Sequence, residues 1–306
     1  MTSKLHQLLT DAGQAVGYQD HIAVGATEPH ARTMKRAAEA TGLSMLHEQA
    51  PTLNPGVDGG LYLPYGTEAG KVSTLAAAML SHSVTGKAGA QIIVIDRAPA
   101  APAGESTLPA FYTRDYRFDV VKPAQFALLA DGAEVTDAAW PISRAAVDLS
   151  TMPTYSFRVN MTRAQQREYG LGFLSAELEH SIIAGIARSA DAALLAAIVA
   201  TTPAAFSLGA AAAKGCQFAD LRAIVGSAGT GAAAQQGELF VDGMAAELCM
   251  EVAPTIVGTW MRAAVAVHED VTLIADRRSV EGDLSLTCFV NLQPLVPDAG
   301  YFFVRG

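Results

Sequence analysis

LGFLSAELEHSIIAGIARSADAALLAAIVA, residues 171–200, is the stretch that decides the fold. Leu171, Leu174, Leu178, Ile182, Ile186, Ala190, Leu194 and Ile198 recur at spacings of three and four, so they form one apolar stripe on an α-helix. Glu177, Glu179, Arg188 and Asp191 lie off that stripe, and no proline interrupts before Pro203. Gly185 inside the pattern costs about 1 kcal/mol relative to alanine, which close packing would explain. At about 1.5 Å per residue the helix is roughly 40–45 Å long. Few compact enzyme domains need such a helix; a flat, elongated subunit can use it as a spine.

Working outward, Tyr155–Met161 alternates as a strand, with Tyr155, Phe157, Val159 and Met161 on one face. Thr162-Arg163-Ala164-Gln165 then fits a capping box, so a helix starts there, breaks at Gly170-Leu171-Gly172 and resumes as the spine. Upstream, Gln91–Asp96 reads as a β-branched strand. A Pro/Ala/Gly stretch runs from Arg97 to Pro109, an extended region spans Phe111–Val121, and turn signals recur at Lys122-Pro123, Ala130–Glu134 and Trp140-Pro141. Residues 97–150 therefore read as a long β-hairpin projecting from a body, with too few strands to close a barrel. Downstream, the pattern predicts a helix at Phe218–Gly226, a Gly/Ala-rich surface loop at Gly226–Gly237, a strand at Glu238–Asp242 and a helix at Met244–Val252. The last region is mostly strand: Ala263–His268, Val271–Ala275, Leu284–Val290 and Tyr301–Val304. Residues 1–60 read as an arm, with helical pieces at Ser3–Ala15 and Ala31–Thr41 and then turn signals at Pro51, Asn54-Pro55-Gly56 and Asp58-Gly59-Gly60. The arm lacks a core-sized apolar pattern and must bury its apolar side chains on the rest of the protein or on a neighbour. The fold class is α+β.

The chain has 306 residues, half of them hydrophobic and 17% charged, a composition that folds. Alanine and glycine dominate the apolar count while aromatics are 7%, which suits close-packed backbones and extensive subunit contact. A net charge of −9 argues against a dedicated nucleic-acid binder, though not against a container that tolerates packed DNA. The densest basic pieces, His30–Arg36 and Arg277-Arg278, are short and read as solvated faces. Cys216, Cys249 and Cys288 are far apart in apolar surroundings and show no zinc spacing, so they read as reduced, buried thiols. No signal-length apolar stretch opens the chain and no run of about 18 apolar residues occurs, so no membrane span is expected. Ala192–Ala200 reads as the buried end of the helix.

The chemistry-bearing candidates are weak. Gly226-Ser227-Ala228-Gly229-Thr230-Gly231 invites a phosphate-loop reading, but no lysine follows it and a predicted helix, not a strand, precedes it. The segment is also not a nucleophile elbow. Gly66–Val72 is one residue short of a phosphate loop and lacks the Ser or Thr that would hold magnesium. The seven histidines are scattered; His180 reads as a surface or interface residue and His268-Glu269-Asp270 as a polar turn between strands. Glu177 and Glu179 diverge on a helix and cannot share a proton. No catalytic, cofactor-binding or metal-ligating residue is assigned, and no cofactor is expected.

The order of elements is arm, strand, extended hairpin, strand, spine helix, mixed region, closing strands. It resembles the major capsid proteins of tailed bacteriophages, which share the Hong Kong 97-type (Johnson) fold. The resemblance is carried by Tyr155–Arg163 as the strand-to-helix transition, Leu178–Leu195 as the spine helix, and Ala130–Glu134 as the returning limb of the extended loop. It implies an N-terminal arm at 1–60, an arm exit and first strand at 61–96, and an extended loop at 97–150 lying over a neighbouring subunit. It further implies a peripheral domain of 151–202 with 263–306, and an axial domain at 203–262 that gathers into pentamers and hexamers. The implied function is a self-assembling icosahedral shell around double-stranded DNA bound without sequence specificity, in a virion assembled in the host cytoplasm. Scaffold, portal and decoration proteins are the further partners that the resemblance offers. Lys122 is the only lysine of the loop region and lacks the surroundings for the crosslink made by some members. The chain opens at Met1, so a separate scaffold protein, not a cleaved leader, is the expectation. An encapsulin-type compartment and a small-molecule enzyme using Gly226–Gly231 are the rival readings.

Overall fold

The computed structural model describes residues 37–41, 62–65, 74–95, 116–277 and 282–306, apart from Gln125, Ala130, Gly132, Ala133 and Val135. The expected helix at 3–15, the turn signals of the arm, the segment 66–72 and the Pro/Ala/Gly stretch 97–109 lie outside these residues.

The spine helix α4 runs from Leu171 to Ala200. The shorter helix α3, Arg163–Tyr169, precedes it and carries the expected capping box: the Gln165 amide donates to Thr162 Oγ1 (3.3 Å) and the Thr162 amide to Gln165 Oε1 (2.9 Å). The break falls at Gly170, whose φ of 77° disfavours a side chain. Ile182, Ile186, Ala190, Leu194 and Ile198 of the predicted stripe are buried. By length and composition α4 could cross a membrane, and half of its most apolar window is buried inside the protein, as in a core helix.

What the stripe covers is a six-stranded sheet organised on one long strand, β15 (Leu284–Leu295). Strand β6 (Thr154–Met161) pairs antiparallel with it along 284–291 and β14 (Thr272–Arg277) along 284–289. Strand β13 (Ala264–His268) takes over at 292–295 and pairs in parallel with β3 (Gln91–Ile95). The outermost strand, β1 (Ala37–Thr41), pairs with β14. Over 37–41 this corrects the helix expected at 31–41, whose first six residues lie outside the described ones: a short alanine-containing segment takes up the open hydrogen-bonding edge of β14, and pairing decides over propensity.

A second sheet, of seven strands, gathers β7 (Ala204–Ala205), β8 (Arg222–Val225), β9 (Ala232–Gln235), β10 (Glu238–Val241), β11 (Met244–Leu248), β12 (Thr255–Gly258) and β16 (Phe302–Arg305). Two expected helices are strands here. Phe218–Gly226 is a single 3-10 turn followed by β8, and Met244–Val252 opens with β11, which pairs in parallel with β8. Ala223, Ile224 and Val225 are buried consecutively, the pattern of a central strand covered on both faces. The Gly/Ala segment after Gly226 contributes β9 to a hairpin with β10. Grouping 263–306 as one unit does not follow the strand pairing: β13 to β15 lie in the first sheet, and β16 returns to the second between β7 and β12. Trp260 and Phe302, both fully buried, meet edge to face at a centroid distance of 5.3 Å where the sheets join.

Two short helices, α1 (Thr74–Leu80) and α2 (Val84–Ala88), lean on the spine. Asp191, 2% exposed, fixes them. Its carboxylate accepts from Ser83 Oγ (2.6 Å), the Val84 amide (2.7 Å), the Thr85 amide (3.1 Å) and Thr85 Oγ1. Ser83 also caps α2 by accepting from the Gly86 amide at 2.9 Å. A buried carboxylate is tolerable only with such a set of donors, at a helix N-terminus that favours negative charge. Asp191→Ala leaves these donors buried without their acceptor. It should lower the urea unfolding free energy by about 3 kcal/mol, whereas Arg188→Ala, on the exposed side of the same helix, should cost under about 1 kcal/mol.

Candidate interaction surface

Strands β4 (Arg117–Val121) and β5 (Ile142–Ala146) pair antiparallel, with β2 (Tyr62–Tyr65) on the other side of β4. This is the base of the expected hairpin. Asp119 and Arg144 stand opposite each other in the register. Asp119 is 3% exposed and Arg144 grips it with two parallel bonds, Nε to Oδ1 at 2.9 Å and Nη2 to Oδ2 at 3.0 Å. Phe118 and Val120 face the other way and pack on Ile93, Ile95, Ala264, Ala266 and Leu295, so the base is anchored in a core of its own.

Beyond the base, the Lys122 amide donates to the Pro141 carbonyl at 2.7 Å and closes the neck. All described residues from Pro123 to Trp140 are exposed. Phe126 is 97% exposed, Leu128 103% and Trp140 79%. Asp131, Glu134 and Asp137 add negative charge. A monomer gains nothing from large apolar side chains held in water at the end of a hairpin; such groups mark a contact surface. Further exposed apolar side chains lie at Tyr169 and Phe173, around the junction of α3 and α4, and at Leu248, the last residue of β11, and Met250 after it.

The glycine segment is built for close backbone packing. The Ser227 amide donates to the Val252 carbonyl (2.8 Å), the Ala228 amide to Ala253 (2.9 Å) and the Gly229 amide to Gly226 (2.9 Å). A Cβ on Gly226 would stand 2.3, 2.5 and 2.6 Å from the carbonyl oxygens of Val252, Ala253 and Pro254. Three carbonyl oxygens at that point repel an anion, and the Ser227, Ala228 and Gly229 amides are already donated within the chain. Thr230 is held as well, its hydroxyl donating to the Arg305 carbonyl (3.2 Å) and its own carbonyl accepting from Thr255 Oγ1 (2.9 Å). From Ser227 to Gly231 the segment is exposed, as expected of a surface loop; it is tied down at Gly226 and leads into the β9–β10 hairpin.

His268 sits in the predicted polar turn, its Nδ1 accepting from the Asp270 amide at 3.1 Å while the Glu269 amide donates to Ile95. His180, exposed on α4, meets His82 edge to face at 4.9 Å, a pairing that nothing in the linear spacing indicates. Among the described residues no group of three or more His, Cys, Asp or Glu side chains could hold a metal. All three cysteines are free, and burial raises each thiol, Cys288 to about 11.

No family model matches the chain, and no curated protein matches it. Solved structures do. The capsid of a native GTA particle is 11% identical over 78% of this chain and 92% of its own, with a TM-score of 0.46. The satellite phage P4 procapsid that includes the size-determination protein is 10% identical over 79% and 92%, with a TM-score of 0.44. A virus-like particle from Pyrococcus furiosus is 11% identical over 76% and 97%, with a TM-score of 0.42.

Two outcomes follow from the geometry. Gly226→Ala should cost about 2–3 kcal/mol in unfolding free energy, and millimolar phosphate should leave the melting temperature of both proteins unchanged. Cys288 keeps its proton when folded to a higher pH than when unfolded. Its contribution is thus complete below the ordinary thiol value of 9.0 and is lost as pH rises toward about 11. Stability measured from pH 8 to 11 should fall more steeply in the native protein than in Cys288→Ala.

Proposed function

We propose that this chain is the structural shell subunit, the major capsid protein, of a tailed bacteriophage. It assembles with copies of itself into a closed icosahedral shell around double-stranded DNA. The observation that carries the reading is the hairpin 117–146: an ion-paired, core-anchored base that holds nearly fully exposed Phe126, Leu128 and Trp140 in solvent. Such a device costs solubility in a lone molecule and gains apolar burial only against another surface. The contact is heterologous, because the loop and its receiving surface differ, and repetition around symmetry axes closes it into rings and a shell. The acidic net charge suits a wall that contains DNA without gripping it.

In this reading 97–150 is the extended loop, whose exposed part beyond the β4–β5 base lies on a neighbour, and 1–60 is the arm, of which Ala37–Thr41 stays paired to the subunit's own β14. Residues 151–202 and the strands up to β15 form the peripheral domain. Residues 203–262, joined by β16, form the axial domain that gathers into pentamers and hexamers. A scaffold protein directs closure, a portal occupies one vertex, and assembly takes place in the host cytoplasm. Catalysis has no part in it.

Expression of the full chain should yield particles of viral size by sizing and electron microscopy, carrying nucleic acid when recovered from native virions. Phe126→Asp/Leu128→Asp should give a folded subunit, with unchanged circular dichroism and melting temperature, that forms no shells. Monomers or dimers under every assembly condition, or a bound cargo enzyme in place of nucleic acid, would overturn the reading.

A further inference from the structure

Lys122 is the single lysine of residues 97–150, and it stands at the neck of the loop. Its backbone amide closes the neck onto Pro141. Its side chain leaves the hairpin: Nζ lies 2.9 Å from Asp298 Oδ2, with side-chain exposures of 35% and 13%. The described residues beyond the neck are exposed, so the neck is where the body of the subunit holds the loop.

Asp298 belongs to the turn where the chain crosses from β15 of the six-stranded sheet to β16 of the seven-stranded one. Arg262 belongs to another crossing, from β12 to β13. The two crossings meet. Arg262 Nη1 is 3.8 Å from the same Asp298 oxygen, and its guanidinium lies 3.7 Å over the ring of Tyr301, in the Asp298 turn. Arg262 is 6% exposed and its backbone amide donates to the Thr259 carbonyl at 3.1 Å, so the residue is held in the junction with its guanidinium between Tyr301 and Asp298. Lys214 Nζ borders the same turn, 3.5 Å from where a Cβ on Gly300 would sit. One carboxylate thus answers a cation from the loop neck and a cation from the seam between the sheets.

We propose that Lys122, Asp298 and Arg262 form a relay that couples the direction of the extended loop to the junction of the two sheets. A shift of one sheet against the other moves the Asp298 turn, and Lys122 carries that movement into the hairpin. Lys122 and Asp298 are positioning residues; neither is part of the contact surface at the tip. The coupling is reciprocal, so releasing the loop also loosens the junction. Its importance for assembly rests on the shell reading above, but the coupling itself is a property of one subunit.

The test uses the full-length subunit with spin labels placed through non-canonical amino acids at the exposed positions 138 and 176. The native protein and Lys122→Arg should give one narrow distance distribution. Lys122→Gln should broaden it about twofold and speed amide exchange at Arg262 and Ala263 about threefold or more. Asp298→Asn should do the same, and the double variant should broaden no further than Asp298→Asn alone, because both changes remove one interaction. A Lys122→Gln distribution that superimposes on the native one, or exchange at the junction that does not respond, sinks the relay even if native shells form normally. Labels that respond as stated in a protein that never forms particles would sink the shell reading and leave the relay standing.

Discussion

The buried carboxylate of Asp191 is the constraint around which the rest of the subunit is arranged. It sits on the spine helix and is satisfied by two hydroxyls and two amides at the start of α2, more than a hundred residues earlier in the chain. That bond set fixes where the strand β3 must emerge, since Ala88, Gly89 and Ala90 lead directly from α2 into it. β3 then pairs with β13, and β13 with β15. The first sheet is thus docked to the spine both by apolar contact and by one polar, directional anchor. Apolar packing alone permits small slides along a helix; four hydrogen bonds to a single carboxylate do not.

Much of the first sheet and its helix was legible in the sequence. The capping box at Thr162, the glycine break and the apolar stripe are local patterns, and each lies where its period placed it. The second sheet was not. Asp242-Gly243, with φ values of 48° and 83°, is the turn of a two-residue hairpin between β10 and β11. An Asp-Gly pair flanked by short apolar runs carries that signal, but Met244–Leu248 is rich in alanine and reads as helix when taken by composition. β8 is in a similar position: as a four-residue strand it is too short for any period to declare itself.

The interaction surface was legible in outline only. Turn signals marked the hairpin, but its base depends on the facing of Asp119 and Arg144 across two strands 25 residues apart, and facing is set by register. Ser83 and Thr85 were missed for the same reason: a serine before a short helix is visible in sequence, whereas its partner Asp191 is remote. Motif spacing and fold geometry bear on the glycine segment in different ways. The spacing lacks the lysine of a phosphate loop, while in the fold the Ser227, Ala228 and Gly229 amides are taken by the chain's own carbonyls.

In the proposed shell, the exposed loop has a consequence for how tightly neighbouring copies would hold one another. Every loop residue that settles on a partner gives up conformational freedom worth about 1 kcal/mol or more, which offsets much of what the buried Phe126, Leu128 and Trp140 contribute. Each such pairwise grip would therefore be weak. In a closed shell, weak grips let a misplaced subunit leave before its neighbours trap it, while the many contacts of the finished surface act together to keep it shut.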